Sequence, residues 1–373
     1  MRPILKPGLQ VLVRDAQTVQ IGLDPRRAVL VTGSPEATIG LLNALDGTRD
    51  TPGVLTWAAA NEVPLDDVVA LLARLRAGGL LIDALAEHPL AERDRATRER
   101  LAPDADAVGL LDDDEPHAMS RRYHAHVVVE GAGRLGAAIA HLLAASGVGR
   151  VGVVDDATVS LTDVSPAGHR FDAIGRSRLL AVHDALGAWG ARAATLQQVR
   201  RPRARAARGA TRQTDVVVLT TPEACTPHRR AELLLGGQTH VTVRVQETVG
   251  EVGPLVVPGS SACAGCVELH RVDRDRGWSA VARCRAEHEE IGETLLVTMT
   301  AALAAAAVTA HLDGRGDSPV VDGTVEVSLP FGLTTLRRWR PHPACGCRWD
   351  LLGGRLGDRL ADRFGGAVTA TSA

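Results

Sequence analysis

This sequence of 373 residues has few aromatic side chains, almost no lysine and little net charge. Aromatic residues make up 2% of the chain, which argues against a stacking platform for single-stranded nucleic acid. Lys6 is the only lysine, so nearly all positive charge is arginine. The formal net charge of −2 creates no strong overall field for nucleic acid or an anionic membrane. We therefore expect neither as a partner.

The sequence also has little that would direct it into a membrane. Residues 1–15 carry Arg2, Lys6 and Arg14 without a long apolar core, so we expect no signal peptide. The nearest approach to a membrane span is residues 295–310, which are Ala-rich, few in number and better explained as a buried helix. We expect a cytoplasmic protein, whose six cysteines are thiols or metal ligands rather than disulfides.

Strand, helix and linker signals divide the chain into three segments. Residues 1–90 contain short strands, three helices and a returning strand. This order suits a winged-helix-like domain, or equally a small α/β unit that only packs on the main domain. The third helix carries two acidic and two basic side chains whose charges cancel, which argues against DNA binding. Residues 91–122 are rich in Glu, Arg and Asp and predict a solvated linker, and residues 123–373 predict the main domain.

Residues 126–155 predict a Rossmann-type α/β fold with a mainly parallel sheet. A β-branched strand, a G-x-G-x-x-G turn (Gly131, Gly133 and Gly136), an apolar helix and a second strand follow one another, and Asp155 ends that strand. The glycines permit a tight turn, backbone approach to a phosphate, and close helix packing. The helix amides attract an anion, and Asp155 can accept hydrogen bonds from ribose hydroxyls. The alternative is a doubly wound fold whose glycines only pack and bind nothing.

Two close cysteine pairs predict a structural zinc site. They are Cys263 and Cys266, spaced C-x-x-C, and Cys345 and Cys347, spaced C-x-C. Four thiolates suit a tetrahedral zinc ion that joins two loops and leaves no position for a catalytic water. The alternatives are a site in which His342 replaces one of the later cysteines, or four reduced thiols.

The two remaining cysteines are weaker candidates for chemistry. Cys225 follows a strand end, where ligand sites gather, and Cys284 lies between two arginines, whose charge could activate a thiol. Either could be a nucleophile or a cysteine without a chemical role.

On these motifs, residues 126–348 resemble the ThiF/MoeB-like superfamily, the adenylyltransferases of the ubiquitin-activating type. The resemblance implies binding of ATP and Mg²⁺ and adenylation of the C-terminal glycine of a ubiquitin-like protein. It also implies that Gly131, Gly133 and Gly136 form the nucleotide loop and that Asp155 is the ribose acid. A homodimer is expected from the resemblance alone.

The sequence departs from the family pattern at several charged positions, and the first is the family's second acid, which aligns with Ala157. The family loop Ser-Asn-Leu-x-Arg-Gln reads Thr-Asp-Val-Ser-Pro-Ala here, so its phosphate-binding arginine aligns with Pro166, although Arg170 is near. The family lysine aligns with Arg178, and the metal-binding aspartate aligns with Pro222, with Glu223 the nearest carboxylate. The charge that develops in phosphoryl chemistry would therefore lack its usual partners.

These departures point to a degenerate subgroup, similar to the ThiF-like partner proteins of YcaO cyclodehydratases. That resemblance implies that the N-terminal domain adds a leader peptide as a β-strand, and that the ThiF-like domain is a zinc-bearing scaffold. The main hypothesis is thus a peptide-binding scaffold for a partner enzyme. The alternative is an active adenylyltransferase that uses Arg170, Arg178 and Glu223. A dinucleotide-dependent oxidoreductase is a third hypothesis, based on the glycine turn alone.

Overall fold

The computed structural model describes residues 1–86, 90, 93–111, 115–188, 192–193, 214–222, 225–287, 292–316 and 318–348. The chain divides into two compact units, Met1–Arg121 and Arg122–Ala373. Each unit buries its own apolar cluster, so each has a core of its own.

The first unit combines two small antiparallel sheets with three helices. Its strands are β1 (Pro3–Leu5), β2 (Val11–Asp15), β3 (Thr18–Ile21), β4 (Val29–Thr32) and β5 (Leu81–Asp83). Its first three helices are α1 (Pro35–Ala44), α2 (Thr51–Ala60) and α3 (Leu65–Ala77). Strands β2, β3 and β4 form one sheet with β3 in the centre, and β1 pairs with β5. Strands β2 and β4 are therefore the edges of the three-stranded sheet.

Local sequence signals account for these helices. Ser34 caps α1, because its hydroxyl accepts a hydrogen bond from the Ala37 amide at 3.3 Å. In α3, Val68, Leu71 and Leu75 follow helical spacing and are buried in the core of the unit. The helices over the first 77 residues thus follow their caps and apolar spacing.

The segment 91–122, expected to be a solvated linker, instead contains helical structure. Helix α4 (Arg95–Leu111) and helix α5 (Glu115–His124) lie there. Leu101, Ala105 and Val108 are buried in a small apolar cluster with Leu90 and Met119. Their spacing is helical, but the charged residues between them obscure it in the sequence.

The second unit is built on an eight-stranded sheet in the order β13-β12-β11-β10-β9-β6-β7-β8. The strands are β6 (His126–Glu130), β7 (Arg150–Val154), β8 (Arg192–Ala193), β9 (Val216–Leu219), β10 (His240–Gln246), β11 (Val249–Val256), β12 (Gly323–Ser328) and β13 (Leu333–Arg338). The helices are α6 (Arg134–Ala145), α7 (Arg178–Ala188), α8 (Pro227–Leu235), α9 (Ala264–Arg274), α10 (Trp278–Glu287) and α11 (Thr294–Leu312). From β10 to β8 the neighbouring strands are parallel, and the other three pairs are antiparallel. The predicted Rossmann-type fold with a mainly parallel sheet is confirmed.

Helix α11 contains the apolar run that came closest to a membrane span. It is long and apolar enough to cross a membrane by length and composition. In the fold it packs against α6 and β11, and Leu296, Ala301 and Val308 are buried in the core of the unit. It is therefore a core helix of this unit.

His126, the first residue of β6, predicts a pH dependence of stability. Its side chain is buried, and neither ring nitrogen has a hydrogen-bond partner within the described chain. Burial, with a smaller contribution from Arg150, lowers the pKa of His126 from 6.5 to about 4. The unfolded chain therefore binds more protons than the folded chain between these values, so stability falls as the pH falls through this window.

We expect His126 to account for a loss of about 2–3 kcal/mol between pH 7 and pH 4.5. Urea unfolding of the wild type and of His126→Leu across this range would measure it. The variant should lose less stability on acidification than the wild type. Parallel pH profiles of the two proteins would contradict the assignment.

Candidate functional site

The glycine turn joins β6 to α6 with very little free space. Gly131 has a φ of +98°, and a Cβ atom there would lie 2.3 Å from Thr221 Cγ2. A Cβ atom at Gly136 would lie 1.9 Å from the carbonyl oxygen of Gly131. Helix α6 begins directly after Gly133, so its first amides lack carbonyl partners within the helix and favour an anion. Gly131 and Gly136 are therefore required by packing, whether or not a nucleotide binds.

Asp155 lies at the carboxyl end of β7, beside this turn. One carboxylate oxygen accepts from the Ala132 amide at 2.7 Å, and the other accepts from the Ala157 amide at 2.8 Å. Its side chain is only 8% exposed. The structure places the expected ribose acid next to the glycine turn, where its oxygens already hold the backbone of both loops.

Arg178 and Asp163 form a two-point ion pair next to Asp155. Arg178 Nε and Nη2 donate to the two carboxylate oxygens of Asp163 at 2.9 and 3.0 Å, and Nη1 lies 3.5 Å from Asp155 Oδ2. Burial opposes ionisation of Asp163, but hydrogen bonds from Ser160 and Arg178 outweigh it and lower the pKa of Asp163. The guanidinium of Arg178 is thus bound by carboxylates.

The four paired cysteines converge on one point. Cys263 is the N-cap of α9, Cys266 lies in its first turn, and Cys345 and Cys347 come from the turn near residues 346–348. The sulfur atoms of Cys263 are 3.8 Å from Cys266 and 3.6 Å from Cys345, and Cys266 is 3.5 Å from Cys347. All four sulfurs lie within 4.8 Å of one another, so the cluster could hold a metal ion.

A sequence comparison assigns the chain to a family. The model of the ThiF family matches residues 110–348, the region that contains the glycine turn, the Arg178 pair and the cysteine cluster. The chain belongs to the ThiF family. The predicted membership of the ThiF/MoeB-like superfamily is confirmed, and it favours the first two functional hypotheses over an oxidoreductase. No curated protein matches the chain.

Solved structures with the same fold include chains of nearly equal extent. A crystal structure of E. coli MccB with AMPCPP and MccA has a TM-score of 0.70 at 14% identity, and covers 93% of this chain and 99% of that chain. E. coli MccB with ATP has a TM-score of 0.69 at 15% identity, with the same coverage. PaaA has a TM-score of 0.66 at 16% identity, and covers 89% of this chain and 99% of that chain.

The other residues expected in the site of this ThiF protein are not all brought together. Arg170 forms an ion pair with Asp172 at 2.9 Å, and its side chain is 82% exposed. Within the described chain it has no ion pair with Asp155 or Asp163. Pro222 lies just beyond β9, at the same edge of the sheet as the glycine turn, and Glu223 lies outside the described residues.

Two residues that sequence reasoning missed hold the loop after β7 of the ThiF fold. Arg134 Nε donates to the Thr162 carbonyl at 2.7 Å, and its Nη1 donates to Thr294 Oγ1 at 3.2 Å. The buried ring of His169 contacts the carbonyl of Ala132 through Nε2 at 2.6 Å. Only the position of Arg134 inside the glycine turn gave a signal in the sequence.

His342, Cys225 and Cys284 lie outside the four-sulfur cluster. His342 Nε2 is 2.8 Å from Asp273 Oδ2, and its Nδ1 accepts from the Ala344 amide at 3.1 Å. Both ring nitrogens therefore have protein partners. Cys225 is buried and Cys284 is exposed.

Proposed function

We propose that this chain is a catalytically degenerate ThiF-like protein that binds a leader peptide and presents it to a partner modifying enzyme. The observation that carries the proposal is the ion pair between Arg178 and Asp163. Arg178 stands where the family has a phosphate-neutralising lysine, and Asp163 stands where the family has a neutral asparagine. A neutral side chain there would leave the cation available, whereas a carboxylate binds it at two points.

The charges around the glycine turn oppose the binding of ATP phosphates, so we propose that ATP binds only weakly. Asp155, Asp163 and Arg178 together leave one net negative charge. Arg134 is nearby, but its guanidinium donates to the Thr162 and Val164 carbonyls. A triphosphate would have to compete with two carboxylates for Arg178, which opposes binding. Bound Mg²⁺ would reduce this repulsion, but Pro222 offers no side-chain ligand for it.

The first unit supports the peptide-binding part of the proposal. We propose that this unit is a winged-helix-like recognition domain, in which the leader peptide pairs as an added strand with the outer edge of β2. Val11 and Val13 of β2 are 38% and 51% exposed, so apolar side chains line that edge. E. coli MccB, which has the same fold, has been crystallised with N-formylated MccA, which supports a peptide ligand.

We propose zinc as the metal of the cysteine cluster. Four sulfurs that each lie about 2.3 Å from a tetrahedral zinc ion are about 3.8 Å apart. Three of the sulfur–sulfur distances are 3.5–3.8 Å and fit this arrangement. Burial raises the pKa of Cys347, so a bound metal would stabilise its thiolate form. The four ligands leave no coordination site for water, so the zinc is structural.

The partner we propose is an enzyme of the YcaO type, and the protein itself is expected to be a cytoplasmic homodimer. A YcaO gene and a short precursor gene beside this gene would support the assignment. Light scattering at high micromolar concentration tests the dimer, and a monomer there would count against it.

We expect proline at the β2 edge to weaken precursor binding. Val13→Pro removes a backbone donor that strand addition needs, whereas Val13→Thr keeps the amide and the β-branched side chain. Fluorescence polarisation of the labelled precursor peptide with the full chain should show binding about tenfold weaker or more for the proline variant. The threonine variant should resemble the wild type. Unchanged binding by a folded proline variant would contradict strand addition at this edge.

An active ATP-dependent adenylyltransferase is the second candidate function. The intact glycine turn and Asp155 favour it, as does the crystallisation of MccB with ATP and with AMPCPP. It would require Arg170, Arg178 and Glu223 to replace the usual groups.

A further inference from the structure

A pocket of about 400 Å³ lies near the carboxyl end of β9, and Pro222 forms part of its lining. Its charged and aromatic lining is Arg230, Arg244, Arg283, Arg285, Glu268 and Trp278. Four arginines against one glutamate make this lining strongly positive. Its volume is within the usual range for a small-ligand site.

The fold brings these arginines together from distant parts of the sequence. Arg230 is on α8, directly after the loop that follows β9. Arg244 is on β10, which runs parallel to β9 and continues past its end. Arg283 and Arg285 are on α10. Side chains that gather at the carboxyl ends of parallel strands occupy the edge of the sheet where ligands bind in this class of fold.

Among the described residues that line the pocket, Glu268 is the one carboxylate, and four arginines outnumber it. Glu268 Oε2 accepts from Trp278 Nε1 at 2.6 Å, and Glu268 Oε1 lies 3.7 Å from Arg271, whose charge is paired with Glu251 at 2.6 Å. Arg285 donates through Nε to the neutral side chain of Gln246. Burial lowers the pKa of Arg285, and the nearby charge of Glu251 opposes this effect while those of Arg271 and Arg244 add to it. An anion is the ligand that would relieve this accumulation of positive charge.

Trp278 adds a rigid apolar wall to the pocket. The guanidinium carbons of Arg271 and Arg285 lie 4.9 and 5.7 Å from the centre of its ring. Such stacking restricts a guanidinium while leaving its N–H groups available for planar, two-point hydrogen bonds. A carboxylate has the geometry that accepts two parallel hydrogen bonds from arginine.

We propose that this pocket binds the side-chain carboxylate of an acidic residue in the peptide ligand. The inference rests on the proposed function, since it takes the ligand to be a peptide, and it adds a chemical requirement to that peptide. Phosphate also accepts two hydrogen bonds from arginine, so the test includes it as a separate ligand.

Isothermal titration calorimetry on the full chain tests the proposal with three probes. They are a short amidated peptide of alternating alanine and glutamate, its glutamine counterpart, and inorganic phosphate, all at one ionic strength. The glutamate peptide should bind, and the glutamine peptide should bind about tenfold to a hundredfold more weakly. The double variant Arg230→Gln, Arg283→Gln should bind the glutamate peptide more weakly than the wild type by a similar factor, and should show no such loss of affinity for the other probes. Arg276→Gln, an exposed arginine outside the lining, is the matched control.

Equal affinity for the two peptides, or full affinity in the double variant, would overturn the proposal. Phosphate binding that is tighter than glutamate-peptide binding and is lost in the double variant would also overturn it, and would assign the pocket to phosphate. The short probes lack a leader, so their binding does not need the β2 edge. If the glutamate peptide fails to bind but the precursor binds normally, the acidic requirement is rejected. If the glutamate peptide binds but the precursor does not, leader binding is rejected.

Discussion

Replacing Cys266 by serine is expected to remove zinc and to lower the free energy of unfolding by about 3 kcal/mol or more. Cys266 is fully buried, and its sulfur contacts those of Cys263 and Cys347. Because the metal would bind the folded arrangement and hold α9 to the turn near residue 346, its binding free energy is coupled to folding. A loss of this size would lower the melting temperature by about 6–12 °C.

Elemental analysis and thermal unfolding of the same preparations measure this effect. The wild type should carry about one zinc per chain, as a single four-thiolate site implies. Cys284→Ser is the matched control, because Cys284 is exposed and outside the cluster. It should keep both the zinc and the stability. A metal-free wild type as stable as the zinc-loaded protein would contradict the structural role.

Signals that are local in the sequence allowed the fold of the second unit to be predicted. The strand, glycine turn and helix around Gly131 are encoded within about 30 consecutive residues, as in other βαβ units. Similarly, the close spacing of the two cysteine pairs is visible in the sequence without their structural context. The helix over residues 95–111 was missed because its apolar positions, among them Leu101 and Ala105, are separated by charged residues.

The candidate site could be predicted only in part, because its charges are arranged by tertiary contacts. Arg178 and Asp163 are 15 residues apart and meet only because the loop after β7 folds back on the start of α7. Arg170 is close to Pro166 in sequence, but it binds Asp172 at the surface. The arginines of the pocket lie on three different elements, so no motif in the sequence predicted the pocket.

We expect adenylation by this chain to be near background. Attack on the α-phosphate redistributes negative charge over its oxygens, so the rate depends on fixed cations around them. Pro166 and Pro222 supply neither a cation nor a metal ligand, and the charge of Arg178 is bound by Asp163. Loss of one such group typically costs about two to three powers of ten in rate. Two independent losses would thus cost about four to six powers of ten.

The ion pair between Arg178 and Asp163 also predicts an effect of Arg178 on the stability of the fold. Arg178→Ala leaves the buried carboxylate of Asp163 without its main cation. Removing one partner of a buried pair typically costs about 3–5 kcal/mol, and the 21% exposure of Arg178 reduces this to about 2–3 kcal/mol. Arg176→Ala, which removes an exposed ion pair with Asp184, should change stability by less than about 1 kcal/mol.

Exchange of radiolabelled pyrophosphate into ATP tests the central claim most directly. The assay uses the full chain with Mg²⁺ and, in separate reactions, the precursor peptide and a ubiquitin-like protein that ends in glycine. We predict exchange near background for the wild type, with no further loss in Arg178→Ala. Robust exchange that disappears in Arg178→Ala and persists in Arg176→Ala would contradict it, and would establish a working adenylyltransferase.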